Sequence, residues 1–146
     1  MNGIIDIFMP DLKFADPALS KKYLKAKNYP DTAQVVIKEM HSQVGDLVFD
    51  ENGLAKRGVL VRHLVMPGFP EETRKIMRFL SDEVSHHTYI NIMDQYRPAA
   101  RVEAEKYADI NRTITEEELQ QAYQDARKAG LYRFDNRQPL LNLLGF

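Results

Sequence analysis

Polar and charged side chains lie within or directly after three apolar segments of this sequence. Asp11 and Lys13 follow the first segment. Arg62 lies within the second segment, and Asn91 lies within the third. An arginine inside an apolar strand is the least ordinary of these residues, because an unpaired buried charge costs much free energy. If the four side chains converge, they form a polar site.

Asp11 and Lys13 could instead be solvent-exposed turn residues, and Arg62 could pair with a structural carboxylate such as Asp6.

The segments that must position these residues alternate between strands and helices along the chain. Short β-branched or continuous apolar runs predict strands at residues 4–9, 59–66 and 89–93. Helix-start signals and one-sided apolar spacing predict helices at residues 16–25, 31–45, 70–84 and 115–130. A hairpin is predicted around Asn52-Gly53, and a further short strand at residues 131–135. Since strands that alternate with helices are usually parallel, the predicted fold is α/β in a single domain, residues 1–146.

Alternation of side chains along the predicted strands puts the polar residues on one face. Asp11 and Lys13 share this face if the extended conformation persists past Pro10. Ligands of parallel α/β folds bind beyond the carboxyl ends of the strands. The candidate site residues are therefore Asp11, Lys13, Arg62 and Asn91, together with Gln95 and Arg97, which have the parity of Asn91. His63 is expected to point to the opposite face and to pack against a helix.

Composition and charge exclude several classes of function. The chain has 146 residues, a formal net charge of −1 and no cysteine. Without a basic stripe it is a poor candidate for nucleic-acid binding. Without cysteine it supplies no thiolate ligand to zinc or to an iron–sulfur cluster, and its histidines lack metal-ligand spacing. No secretory signal and no apolar run of membrane-spanning length occur, so the expected location is the cytoplasm.

Several short segments of the sequence, in the order in which they occur along the chain, resemble one protein family. Residues 9–13, 62–68 and 91–98 resemble the later half of radical S-adenosylmethionine proteins of the pyruvate formate-lyase activating enzyme type. Residues 37–48 and 109–115 are similar to the activating-enzyme-like branch of that family. The resemblance covers residues 3–135. It implies a partial parallel β/α barrel, of which this chain would form about half.

The resemblance also implies a chemistry for the complete family. Its members bind a 4Fe–4S cluster through a CxxxCxxC loop and cleave S-adenosylmethionine to a 5′-deoxyadenosyl radical, which in activating enzymes takes hydrogen from a glycine of a partner glycyl radical enzyme. The family's Asp-x-Lys element, near the bound S-adenosylmethionine, matches Asp11 and Lys13. The family's strand arginine matches Arg62. The family's Pro-Tyr-His segment contains a histidine that contacts the cofactor. In this sequence Gln95 stands at the position of the proline, and Arg97 stands at the position of that histidine.

The absence of cysteine is the largest departure from this family. The chain is therefore expected to correspond to the C-terminal half of such a protein, to hold no cluster and to be inactive alone. Its exposed strand edge and faces predict either a homodimer or pairing with the missing N-terminal half. Two alternatives remain: a non-enzymatic α/β interaction module that uses open strand edges, and a small lyase with Lys13 as an imine-forming amine.

Overall fold

A parallel sheet lies at the centre of the computed structural model, which describes residues 6–24, 28–94 and 112–135. Its strands are β1 (Ile7–Phe8), β2 (Val48–Phe49), β3 (Ala55–Leu64), β4 (Tyr89–Met93) and β5 (Arg133–Phe134). The order β1-β3-β4-β5 is parallel at every step, whereas β2 pairs with β3 in antiparallel fashion. The predicted α/β class and the parallel order of the three main strands are therefore confirmed.

The longest strand differs from its predicted bounds. β3 begins at Ala55 instead of residue 59, because its first residues pair with β2 across the hairpin that follows Asp50. Gly58 lies in β3 with φ +123°. A Cβ at Gly58 would lie closer to the backbone of Asp46 and Leu47 than real contacts allow, so only glycine fits there.

Four helices connect the strands of the described residues. They are α1 (Pro17–Leu24), α2 (Tyr29–Val44), α3 (Pro70–Phe79) and α4 (Glu116–Ala129). α2 begins before the predicted Asp31, since Pro30 suits the first turn of a helix and Asn28 precedes it. A π-helical turn, Leu80–Val84, extends α3 and replaces the α-helical end that was expected. The helix predicted at residues 115–130 is confirmed: α4 begins after a capping box of Thr115 and Glu118 and ends at Gly130, which has a left-handed conformation.

One face of the sheet carries the main core. Alternate residues of β3 and β4, such as Val61 and Ile90, pack with buried residues of three helices. Those helix residues include Ile37 of α2, Ile76 of α3 and Ala126 of α4.

The other face of the sheet carries a smaller apolar cluster. Leu47, Leu60 and Tyr89 form it, with Ile7, Phe49 and Ala55 packed alongside. Within the described residues, this second face has no helix packed on it, and we call it the helix-free face. None of the helices in the described ranges is long and apolar enough to cross a membrane.

Candidate functional site

Three of the predicted site residues lie side by side on the helix-free face. Asp11 is the register partner of Arg62, and Arg62 is the register partner of Asn91. Register partners on adjacent strands project their side chains to the same face of a sheet. Asp11, Arg62 and Asn91 therefore form one row across three chain segments, which we call the polar row. It lies near the carboxyl ends of β3 and β4, where parallel α/β folds bind ligands.

The row depends on backbone pairing that continues past Pro10. The Arg62 N–H donates to the Pro10 carbonyl at 2.9 Å, and the Leu12 N–H donates to the Arg62 carbonyl at 2.9 Å. Pro10 has no N–H to donate, but its carbonyl is the group that this parallel ladder needs. The extended conformation that the sequence prediction required is thus present as far as Leu12.

Arg62 and Asp11 form an ion pair within the row. Arg62 Nε lies 3.3 Å from Asp11 Oδ1, and the two side chains are 39% and 46% exposed. The partner of Arg62 is therefore Asp11 and not Asp6. An exposed pair of this kind contributes about 0–1 kcal/mol, so separating the two groups around a bound ligand costs little.

Asn91 supplies an acceptor without a partner. Its Oδ1 atom is buried and has no hydrogen-bond partner among the described residues. A buried polar atom left unpaired costs about 1–3 kcal/mol. Such an atom next to a half-exposed ion pair indicates a place where a ligand N–H or O–H could donate.

The segment from Asp11 to Lys13 is held by a tyrosine from α2. The Tyr29 hydroxyl donates to the Asp11 carbonyl at 2.9 Å and accepts from the Lys13 N–H at 3.3 Å. Burial, the largest contribution, raises the pKa of Tyr29, so this hydroxyl keeps its proton. Lys13 follows the buried Leu12, which is the last residue of the extended pairing with β3. Its ammonium group forms no ion pair with the polar row within the described part of the chain.

Two buried groups fix the same loop from the core side. His63 Nδ1 donates to the Leu12 carbonyl at 2.7 Å, and the Thr73 hydroxyl donates to His63 Nε2 at 3.0 Å. Burial lowers the pKa of His63 to about 4, so the ring is neutral and structural. The predicted packed, helix-facing histidine is thus confirmed.

Glu72 is the second of these buried groups, and the sequence analysis missed it. Its Oε2 accepts from the N–H groups of Ala15 and Asp16 at 2.6 and 2.9 Å. A glutamate in the first turn of a helix usually faces solvent. The available signal was its position one helical turn before Ile76, on the buried face of α3.

Some predictions fall outside the described ranges. Gln95, Arg97 and residues 4–5 of the first predicted strand belong to this group. For metals, the described residues contain no group of three or more histidine or acidic side chains that could hold an ion. The whole chain has no cysteine, so its residues do not fit the cluster that the family resemblance implies.

Comparison with known proteins finds one informative similarity. The chain is 36% identical over 132 residues to an uncharacterized protein of Methanocaldococcus jannaschii. The match covers 90% of this chain and 34% of the archaeal protein. The chain therefore spans about a third of the length of the curated relative it matches. No family model and no solved structure matches the chain.

The polar row offers complementary groups to a zwitterionic ligand. The Asp11 carboxylate can accept from an ammonium group, and the Arg62 guanidinium can donate two hydrogen bonds to a carboxylate. Asn91 can accept from a hydroxyl or amine through its unpaired oxygen. The arrangement can bind and orient such a ligand.

Proposed function

We propose that the polar row binds part of S-adenosylmethionine in a radical S-adenosylmethionine protein of the activating-enzyme-like type, of which this chain is the C-terminal portion. The register of Asp11, Arg62 and Asn91 on neighbouring parallel segments is the observation that carries the proposal. The same three residues lie in the sequence segments that resemble that family. The chain then supplies ligand binding, because it has no thiolate for the cluster.

The distribution of helices supports a barrel arrangement. Helices α2, α3 and α4 pack on one face, and the polar row occupies the other. In a parallel β/α barrel, helices form the outer layer and the ligand-binding side chains lie at the carboxyl ends of the strands. We therefore take this sheet as about half of a barrel whose interior is the helix-free face.

The chemistry of the ligand supports the assignment to S-adenosylmethionine. Its amino-acid end carries an ammonium and a carboxylate. The ammonium is complementary in charge to Asp11, and the carboxylate is complementary to Arg62. Its ribose carries hydroxyl donors that could reach the unpaired Asn91 oxygen. The expected affinity of the chain alone is weak, because in the family the cluster holds part of the same ligand.

The experiment measures binding of S-adenosylmethionine to the 146-residue chain by ligand-observed saturation-transfer NMR. Arg62→Gln removes the guanidinium and should weaken binding about tenfold, since a hydrogen bond to a charged group contributes about 1.5–3 kcal/mol. Arg78→Gln, an exposed position on α3, is the matched control and should leave binding unchanged. Absence of saturable binding, or equal binding by the Arg62→Gln variant, would contradict the proposal.

A second candidate is the interaction module that pairs through open strand edges. It is favoured by the position of β1, which is the terminal strand of the sheet order within the described residues. Met9, which follows β1, is 56% exposed. The Lys13 lyase stays an untested prediction, since no feature of the described residues favours it.

A further inference from the structure

A pocket of about 330 Å³ lies between the start of α3 and the first three turns of α4. Thr73 lines this pocket, and its hydroxyl donates to His63. His63 and its neighbour Arg62 point to opposite faces of the sheet, so Thr73 does not belong to the polar row. The pocket is therefore on the helical side of the sheet, separate from the proposed S-adenosylmethionine site. Its volume is at the lower end of the roughly 300–1,000 Å³ typical of small-molecule sites.

A buried carboxylate lines this pocket. Asp125 of α4 is 5% exposed, and its Oδ1 accepts from Gln121 Nε2 at 3.0 Å. Its Oδ2 lies 3.4 Å from Arg74 Nε but makes no hydrogen bond within the described part of the chain. The distance qualifies as an ion pair, yet the N–H is not aligned for a hydrogen bond. Oδ2 thus has a nearby charge and an unused acceptor site.

Arg74 is shared between two acidic side chains. Its Nη1 pairs with Glu71 Oε1, while its Nε approaches Asp125. One guanidinium therefore does not fully compensate the carboxylates around it. Glu117 also lines the pocket and is exposed, so the lining is anionic overall.

The walls of the pocket are fixed before any ligand arrives. Glu118 accepts from the Gly68 N–H at 3.2 Å and pairs with Arg112 at 2.6 Å, which ties the loop after β3 to the start of α4. Val65, Phe69 and Ala122 supply apolar lining. A preformed pocket loses little conformational freedom on binding, and its apolar walls favour a ligand with a compact apolar body.

We propose that this pocket binds a small organic cation of the amidine or guanidine class, whose N–H donates to Asp125 Oδ2. An amidinium places two N–H donors in one plane, which suits a carboxylate. It also adds positive charge to a lining in which carboxylates outnumber the one guanidinium, that of Arg74. The apolar body of the ligand lies against the Phe69 side of the pocket.

The test titrates the isotope-labelled 146-residue chain with benzamidine and follows its amide NMR spectrum. Saturable shifts at Gly68, Thr73 and Gln121 are expected. Benzoate has the same ring with the opposite charge and should leave these amides unmoved. Binding of benzoate equal to that of benzamidine, or absence of benzamidine shifts at the pocket, would overturn the proposal.

Two variants connect the binding to the acidic lining. Asp125→Asn should weaken benzamidine about tenfold, and Asp82→Asn, an exposed acid on the π-helical turn, should not change it. Glu117→Gln, at an exposed position, should weaken it about twofold and decides the test if Asp125→Asn does not fold. Unchanged affinity in a folded Asp125→Asn variant, or in Glu117→Gln where the first variant fails to fold, would overturn the proposal.

Discussion

His63 connects the core to the loop that carries Asp11. Burial lowers its pKa from 6.5 to about 4, whereas in the unfolded chain it titrates near 6.5. Between these values the unfolded chain takes up a proton that the folded chain excludes. The free energy of unfolding therefore falls as pH falls through this window, by about 3 kcal/mol in total.

A variant without the titrating group tests this pH dependence. His63→Gln should flatten the decrease in stability between pH 7 and pH 4.5, measured as the free energy of urea unfolding. His87→Gln, at an exposed histidine, should retain the full decrease. If the His63→Gln variant showed the same pH dependence as the unmodified chain, burial of a neutral His63 would be the wrong account.

Glu72 offers a second prediction for a single residue. Glu72→Gln removes the charge that accepts from Ala15 and Asp16, and we expect a loss of about 1–3 kcal/mol in the free energy of unfolding. The neighbouring Glu71→Gln changes an exposed carboxylate in the same turn and should cost less than about 1 kcal/mol. Chemical denaturation measures both values. Equal losses would show that the buried carboxylate is not what holds the loop.

Individual site residues differ in how far the sequence predicts them. Strand alternation correctly places Asp11, Arg62 and Asn91 on one face, because parity depends only on local extended backbone. Glu72 and Asp125 were missed. Their burial depends on distant partners, such as the N–H of Ala15, and local spacing carries little information about those partners.

At the scale of elements, the approach of β3 to the segment after α2 depends on Gly58. Gly58→Ala would bring a Cβ against the backbone of Asp46 and Leu47, and we expect a loss above about 2 kcal/mol in the free energy of unfolding. Gly53→Ala is the matched control, since it also has positive φ but open space around it. It should cost about 1 kcal/mol. Thermal and urea unfolding would show an equal cost if close approach were unimportant.

The start of β3 and the end of α3 were also predicted inaccurately from local sequence pattern. The early start of β3 comes from its pairing with β2, and the π-helical turn after α3 comes after a regular apolar spacing that continues to Val84. The capping box at Thr115 was predictable because its signal lies within four consecutive residues. Features that depend on a second segment were predicted with less accurate bounds.

At the scale of the whole molecule, the exposed end of the sheet predicts self-association. β1 is a terminal strand of the described sheet, and an open edge can pair with a second copy. Size-exclusion chromatography with light scattering should give twice the monomer mass at high micromolar concentration. Met9→Lys should shift the chain toward monomer. Val35→Lys, at a 67% exposed position on α2, should leave the dimer intact. A monomer for the unmodified chain would contradict this prediction.

The parallel pairing of the main strands was predictable from the sequence. Alternation of strands and helices correctly implies parallel pairing and helices on one face. The sequence contains no comparable signal for how far the sheet curves or what completes it. The half barrel therefore belongs to the proposal and depends on the family resemblance.

A map of where S-adenosylmethionine binds tests the role of the polar row most directly. The amide NMR spectrum of the 146-residue chain would be titrated with S-adenosylmethionine. Saturable shifts are expected at Leu12, Arg62 and Asn91, and the amides of Thr73 and Gln121 on the helical side should not move. Shifts confined to the helical side, or no saturable shift in the polar row, would contradict the central claim that this row binds S-adenosylmethionine.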